Sequence, residues 1–172
     1  NPEEDYLEEG IYVYGPKPMD LQSFDKGGQG RISSKVEAKT LRSLSGLSAE
    51  AFGENSYEGY YSIAVPQFSG LKDKAFEQQL NDTFASIATK AVEETEDLSR
   101  EAVSLKTDFY NVLCYSLKHL RQGVLSFTLY KETYLGGSGP GVTLSSYTID
   151  FNKSKILTLN DLFNTPDFMA RL

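Results

Sequence analysis

The sequence predicts an α+β fold: an antiparallel β-sheet with one long amphipathic helix packed on a face. Residues 57–67 alternate aromatic or β-branched side chains with smaller or polar ones, which is typical of a strand. Apolar residues between positions 76 and 98 then recur at three- and four-residue spacing, and period-two patterns return after residue 109. Because the strands are not each followed by a helix, a doubly wound parallel sheet is not expected.

The N-terminal part is expected to be an acidic, irregular extension over residues 1–30. Five of its first nine residues are acidic, Ile11–Tyr14 is a candidate short strand, and Gly27–Gly30 is a flexible break. Weak alternation predicts a strand from Val36 to Leu44. Pro66 is expected to end the stronger strand that starts at Tyr57, or to lie at an edge position, because proline has no N–H for the ladder.

The amphipathic segment predicts a helix over about 74–98. Asp73 is its expected N-cap, since a carboxylate accepts hydrogen bonds from the free amides of the first turn. The acidic run Glu93–Asp97 lies near the predicted C-terminal end, where the helix dipole disfavours anions. This end is therefore expected to fray unless Arg100 compensates.

The second half of the chain predicts a meander of strands. Phe109 to Lys118 alternates with apolar character on both sides, and a turn at His119–Gly123 leads to an antiparallel partner strand around Leu125–Tyr130. The segments that follow are a glycine-rich connection (Gly136–Gly141), a strand (Val142–Phe151), a turn (Asn152–Lys155), a short returning strand (Ile156–Leu159) and a helix start (Thr165–Pro166).

Three segments are predicted from these elements. Residues 1–30 form the extension, residues 31–137 form a first α+β module, and residues 138–172 form the start of a second module packed with the first. Only six residues follow Pro166, too few for an independent helix. The second module is therefore expected to be truncated.

Composition excludes several kinds of chemistry. One cysteine and one histidine rule out an internal disulfide framework, a cysteine zinc site and a histidine metal cluster. No cofactor or metal is therefore expected. The net charge of −7 gives no basic surface for phosphate backbones, so nucleic-acid binding is not expected. No apolar run reaches the ~20 residues of a membrane span, so any membrane association is expected through an anchor outside this chain.

The glycine-rich connection is the main candidate for binding. It differs from a phosphate loop because it lacks the Gly-Lys-Ser/Thr ending and leads into a strand. The backbone of Gly136 and Gly137 is open to a partner, and nearby tyrosines could provide amphipathic contact area. The alternative, that these tyrosines are half-buried sheet residues, remains open. The predicted binding residues are Tyr130, Tyr134, Gly136, Gly137 and Tyr147.

His119 and Cys114 are the two other candidates for chemistry. His119 lies beside basic residues in a predicted turn with no nearby acid, so a surface histidine is expected rather than a general base. Cys114 lies in mid-strand on an apolar face, which favours a buried, inert thiol.

Several motifs in order resemble a known family. They are the strand–Pro-Gln–Gly-Leu-Lys-Asp block (Tyr61–Asp73), Leu80-Asn81 within the helix, Tyr134–Gly137, and Tyr147–Phe151 leading to Leu157–Phe163. They resemble the paired extracytoplasmic modules found N-terminal to a peptidoglycan deacetylase domain, and in a lysozyme-sensing anti-sigma factor of Gram-positive bacteria. Where that family often has Gly-Gly-Ala-His, this chain has Ser138 and Gly139 after the glycine pair. The deacetylase's metal ligands belong to a separate domain and have no match here.

The resemblance implies a secreted or membrane-anchored module of the cell envelope that is not an enzyme. Its expected role is to bind or sense a cell-wall glycan or an envelope protein, such as a lysozyme-like one. Two alternatives remain: a hydrolase of envelope polymers that uses Asp108, Asp150 or Asp161, and a scaffold that orients a neighbouring catalytic domain.

Overall fold

A computed structural model describes residues 3–8, 11–15, 19–20, 31–44, 56–158 and 161. It has a seven-stranded mixed sheet with one long helix packed on it, which confirms the α+β class. The elements in chain order are β1 (Glu3–Glu8), β2 (Ile11–Gly15), β3 (Met19–Asp20), β4 (Arg31–Leu44), β5 (Ser56–Ser69), α1 (Lys74–Leu105), β6 (Phe109–Arg121), β7 (Val124–Tyr134), β8 (Gly141–Asp150) and β9 (Lys155–Leu157).

The large sheet follows chain order from β3 to β9, and one of its strand pairs differs from the predicted antiparallel arrangement. β5 and β6 are parallel, with Gly59 opposite Phe109 and Ile63 opposite Leu113. The reason is the connection between them, because α1 returns the chain to the end of the sheet where β5 begins. The remaining pairs in this sheet are antiparallel.

β5 continues past Pro66 to Ser69. Pro66 is opposite Ser34 of β4, but β6 pairs with β5 only from Gly59 to Ile63. The proline therefore lies in a part of the strand that has a partner on one side, where its missing N–H is tolerated.

Helix α1 begins where the sequence predicts and extends seven residues beyond the predicted end. Asp73 is the N-cap, and its side chain accepts a hydrogen bond from the Phe76 amide at 3.0 Å. The acidic run does not end the helix. Arg100 forms an ion pair with Asp97, and Ala102 is fully buried one turn further on. The helix ends at Lys106, which adopts a left-handed conformation with φ 53°. In the described part of the chain, no helix is long and apolar enough to cross a membrane.

The core lies between α1 and one face of the sheet. Alternate residues of β6 and β7 point to the helix, as the strand pattern predicts, and their neighbours point to the other face. The largest fully buried apolar side chains are Phe68, Phe84, Phe109, Phe127, Ile32, Ile63, Leu80, Leu125 and Ile149. The face opposite α1 is therefore the only broad sheet surface that this core leaves available in the described residues.

The N-terminal strands cover part of that opposite face. β1 and β2 form a separate antiparallel hairpin, and β2 contacts β4, β5 and β6. Ser62 and Ala64 alternate with the core residues of β5 and so point away from α1, yet they are buried. The hairpin thus lies over part of the β4–β6 side of this face. The rest of the face, which extends from the exposed Tyr60 of β5 and the start of β6 over β7 and β8, is called the open face below.

The predicted boundaries at residues 30 and 137 remain predictions. β1, β2 and β3 fall within the segment expected to be irregular, and β8 and β9 continue the sheet beyond residue 137. The predicted break at Gly27–Gly30 and the predicted helix start at Thr165–Pro166 lie outside the described residues.

Candidate functional site

A row of three tyrosines crosses three neighbouring strands at the end of the sheet where β6 begins. Tyr60 of β5 is opposite Tyr110 of β6, and Tyr110 is opposite Tyr134 of β7. Their rings are stacked, with centroids 5.5 Å apart for the first pair and 5.4 Å for the second, and with 19° between the planes of each pair. Such offset stacking is a favourable aromatic geometry, so the row is held in place by its own contacts.

Glu132 of β7 links this row to a fourth tyrosine. The Tyr110 hydroxyl donates a hydrogen bond to Glu132 Oε1 at 2.6 Å, and the Tyr130 hydroxyl donates to Glu132 Oε2. Tyr130, Glu132 and Tyr134 are alternate residues of β7 and share the face opposite α1. We call Tyr60, Tyr110, Tyr130, Glu132 and Tyr134 the tyrosine–glutamate cluster.

The hydrogen bonds of the cluster shift the pKa values of its members in opposite directions. Donation from Tyr110 and then from Tyr130 stabilises the carboxylate and lowers the pKa of Glu132. The same bonds oppose deprotonation of the phenols. The pKa of Tyr110 is raised to about 12, chiefly by its hydrogen bond to Glu132, and that of Tyr130 is also raised. At neutral pH the cluster therefore consists of an ionised carboxylate and neutral phenols.

The glycine-rich connection starts next to Tyr134. Gly136 has a φ of +74°, and a Cβ there would lie 2.9 Å from Thr107 Oγ1, so a larger residue would be both strained and crowded. Gly137 has a φ of +85° with open space around its Cα. The first glycine thus holds the connection against the segment before β6, while the second lies exposed beyond it.

Two exposed apolar side chains of β8 border the cluster. Val142 is opposite Glu132 and Leu144 is opposite Tyr130, and their exposed fractions are 52% and 66%. Tyr60 is 37% exposed at the far end of the tyrosine row. The open face therefore combines aromatic rings, aliphatic side chains and one carboxylate, which gives it both apolar contact area and hydrogen-bond acceptors.

The structure brings together four of the five residues predicted for binding. Tyr130 and Tyr134 belong to the cluster, and Gly136 and Gly137 follow it directly. Tyr147 does not join them: it lies on the face towards α1, with its ring centroid 5.2 Å from that of Phe84 and 5.5 Å from that of Phe127. The side chain of a tyrosine in a strand with one buried face can point to that face or to the opposite face of the sheet. Only the register of β8 decides which face Tyr147 takes.

Sequence reasoning missed Tyr60, Tyr110 and Glu132. The alternation in β6 does indicate the orientation of Tyr110, because it places Tyr110 on the face of the sheet that Phe109 and Asn111 do not share. No local pattern indicates that Tyr60 stacks on Tyr110 or that Glu132 reaches its hydroxyl, since both relationships depend on strand register.

Two of the acids considered for hydrolysis, Asp150 and Asp161, form hydrogen bonds within turns. Asp150 is buried and its Oδ1 accepts hydrogen bonds from the amides of Asn152 and Lys153, at 2.9 and 3.1 Å. Asp161 accepts from the amide and hydroxyl of Thr158, both at 2.8 Å, and pairs with Lys155. The side chains of Asp150 and Asp161 therefore stabilise turns.

Asp108 lies at the other end of the sheet from Asp150. Asp108 immediately precedes the first residue of β6. Asp150 is level with the last residue of that 13-residue strand, because it pairs with Val124 and Val124 pairs with Arg121. About 40 Å of strand separates the two backbones, against the ~10 Å or less between the paired carboxylates of glycosidases. Within the described residues, no group of three or more His, Cys, Asp or Glu side chains could hold a metal ion.

The single histidine and the single cysteine are both in β6. His119 is exposed, and it lies in the strand rather than in the predicted turn, which is formed by Gln122 and Gly123. Cys114 is half-buried on the side of β6 opposite the core, where it pairs with Tyr130. Burial, and to a lesser extent the charge of Glu132, raise the pKa of its thiol.

Two solved structures share this fold. A member of the DUF3298 family from Bacteroides fragilis aligns over 84% of this chain and 66% of its own, with 15% identity and a TM-score of 0.57. A DUF3298 family protein from Pseudomonas aeruginosa aligns over 81% of this chain and 61% of its own, with 15% identity and a TM-score of 0.50. This chain therefore spans slightly less than two thirds of each. At such low identity, the likeness establishes the fold alone.

Sequence comparison gives a more specific relationship. No curated protein matches the chain significantly. The profile of the family described as Deacetylase PdaC matches residues 53–141, just over half of the chain. That match contains the tyrosine–glutamate cluster, helix α1 and the whole glycine-rich connection (Gly136–Gly141). The chain thus belongs to the Deacetylase PdaC family.

Proposed function

We propose that this chain is a non-catalytic, extracytoplasmic module of the bacterial cell envelope that binds a cell-wall glycan on its open face. The observation that carries the proposal is the tyrosine–glutamate cluster: three stacked rings and a carboxylate held by two phenols, on the side of the sheet that the core does not use. Membership of the Deacetylase PdaC family supports the assignment to the envelope.

The chemistry of the cluster suits a sugar chain. A pyranose ring has apolar C–H faces that pack on aromatic rings and on aliphatic side chains such as Val142 and Leu144. It also has hydroxyl groups, for which Glu132 and the phenol oxygens are acceptors. Because the side chains are already held by mutual stacking and hydrogen bonding, little conformational entropy is lost when a ligand binds.

Titration with soluble muropeptides tests the proposal, with calorimetry for affinity and NMR for location. We expect saturable binding, with the largest shifts at Tyr110, Glu132 and Tyr134. Tyr134→Ala, which removes the end ring of the row, is expected to weaken binding about tenfold, as is typical for an aromatic anchor. The control is Glu96→Ala on the exposed surface of α1, which is expected to bind like the wild type.

Three results would overturn the proposal. The first is the absence of any response to muropeptides by a folded protein. The second is binding whose NMR shifts map to α1 and which Tyr134→Ala does not affect. The third is binding of lysozyme without binding of glycan, which would make the module a receptor for a protein. Turnover of the muropeptides during the titration would contradict its non-catalytic nature.

A further inference from the structure

We propose that the tyrosine–glutamate cluster selects a ligand that carries an ammonium group, so that the preferred glycan is one whose amino sugars have lost their N-acetyl groups. This inference rests on the proposed function, because it assigns a chemical class to the glycan that the same surface takes. Three features of the cluster support it: its hydrogen-bonding direction, its charge and the charges around it.

The part of the cluster around Glu132 offers acceptors to a ligand rather than donors. The Tyr110 hydroxyl donates to Glu132 Oε1 at 2.6 Å, and the Tyr130 hydroxyl donates to Oε2. A phenol has one proton and an ionised carboxylate has none, so these two bonds use both hydroxyl protons of these two phenols. What remains for a ligand is lone pairs on Glu132 and on the two phenol oxygens. At Glu132 and these two phenols, the ligand therefore has to provide the N–H or O–H groups.

Charge narrows the class of donor further. Glu132 is ionised at neutral pH, as an ordinary glutamate is, and its two hydrogen-bond donors lower its pKa further. Hydrogen bonds between an ammonium group and a carboxylate are roughly twice as strong as those between neutral groups. An acetamido group brings only one neutral N–H, together with a carbonyl oxygen that the lone pairs around Glu132 repel, whereas an ammonium group brings three N–H donors and a positive charge.

Neighbouring charges leave this preference in place. Lys131, next to Glu132 in β7, points to the other face of the sheet and pairs with Glu94 of α1. Asp108 is exposed two residues before Tyr110. The two acids Glu132 and Asp108 therefore favour a cation at this end of the sheet.

Two tetrasaccharides that differ only in acetylation provide the test. One is the β-1,4-linked tetramer of N-acetylglucosamine, and the other is the corresponding glucosamine tetramer. Both are titrated into the whole chain at pH 6, where the amines are protonated, and at 150 mM NaCl, which screens unspecific attraction to an acidic protein. We expect the glucosamine tetramer to bind at least ten times more tightly.

Glu132→Gln is the decisive variant, because it removes the charge and keeps the shape of the side chain. We expect it to bring the two affinities to within about threefold of each other. Glu93→Gln makes the same change of net charge on the exposed surface of α1 and is expected to keep the full preference. As a measurement that needs no variant, the ¹³C signal of the Glu132 carboxyl in the wild type is expected to move with the glucosamine tetramer only.

The possible failures are distinguishable. Equal affinity of the wild type for both tetramers would overturn the inference and leave the proposed function standing. A preference that survives in Glu132→Gln, or that Glu93→Gln loses equally, would also overturn it, because the selection would then come from net charge or from another surface. Absence of binding by either tetramer and by muropeptides would overturn the inference together with the proposed function.

Discussion

Asn81 of α1 forms two hydrogen bonds with the backbone of Phe68 in β5, as a neighbouring strand would. The Phe68 amide donates to Asn81 Oδ1 at 2.8 Å, and Asn81 Nδ2 donates to the Phe68 carbonyl oxygen at 2.9 Å. Phe68 lies beyond the part of β5 that pairs with β6, so the amide side chain satisfies backbone groups that the sheet leaves free on that side. This contact fixes the start of the helix against the end of the strand.

We therefore expect Asn81→Ala to lower the free energy of unfolding by about 2–3 kcal/mol, because two backbone groups of a buried residue lose their partners. Urea denaturation followed by circular dichroism measures the change. The control is Ser86→Ala on the exposed surface of the same helix, for which the expected change is below about 0.5 kcal/mol. Equal stability of the two variants would show that the Asn81 contact contributes nothing.

Gly59 allows β5 and β6 to approach each other beneath the Phe109 ring. A Cβ at this position would lie 2.5 Å from two ring carbons and from the carbonyl oxygen of Phe109. We expect Gly59→Ala to destabilise the protein by about 1–3 kcal/mol or more, because a fully buried ring and the backbone of β6 would have to move.

Gly139→Ala is the matched control for Gly59→Ala. A Cβ at Gly139 meets nothing within 4 Å, so its thermal unfolding midpoint is expected to stay close to that of the wild type. If Gly59→Ala unfolded at the same temperature as this control, the close packing of Phe109 on Gly59 would be wrong.

Ionisation of Tyr110 reports directly on its hydrogen bond to Glu132. Its pKa is raised to about 12 from an ordinary value of 10.0, so its contribution to stability is fully present below pH 10 and is lost as the pH rises through 12. We expect the ¹³Cζ signal of Tyr110 to titrate about two units above that of a free tyrosine, with Tyr110→Phe providing the assignment. Glu132→Gln is expected to move this pKa back towards 10, and an unchanged value would rule out Glu132 as the cause.

Glu132 provides the acidic counterpart of that titration. Its pKa is lowered by the hydroxyls of Tyr110 and Tyr130, so its contribution to stability is present above the unfolded value of 4.5 and is lost as the pH falls through the folded value. We expect the double variant Tyr110→Phe/Tyr130→Phe to raise the pKa of the Glu132 carboxyl, followed by its ¹³C signal. A pKa that stays low in the double variant would assign the shift to another group.

Cys114 is the only thiol in the chain and lies beside Tyr130 on the sheet face opposite α1, which makes it a probe of that face. Because burial raises the pKa of the thiol, little thiolate is present at pH 8. We expect iodoacetamide to react at least about tenfold more slowly with the folded protein than with the chain in urea. Reaction at the same rate in both would show that the thiol is not shielded, and Cys114→Ser gives the background.

The order of elements and the orientation of most strands follow from local patterns. Alternation in β6 and β7 identifies the residues that face the helix, because successive side chains of a strand point to opposite sides. The helix start at Asp73 and the turn before β7 likewise depend on a few neighbouring residues. Tyr130, Tyr134, Gly136 and Gly137 could therefore be placed near one another from the sequence.

Tertiary structure decided the relationships between distant segments. Hydrophobic periodicity extends over a few residues and contains no information on which strand lies beside which. The parallel pairing of β5 with β6 therefore depends on the packing of α1 across the sheet. The same pairing brings Tyr60 beside Tyr110, and the register of β6 and β7 brings Glu132 within reach of the Tyr110 hydroxyl. The side of the sheet taken by Tyr147, and the extension of α1 to Leu105, also depend on contacts between residues far apart in the chain.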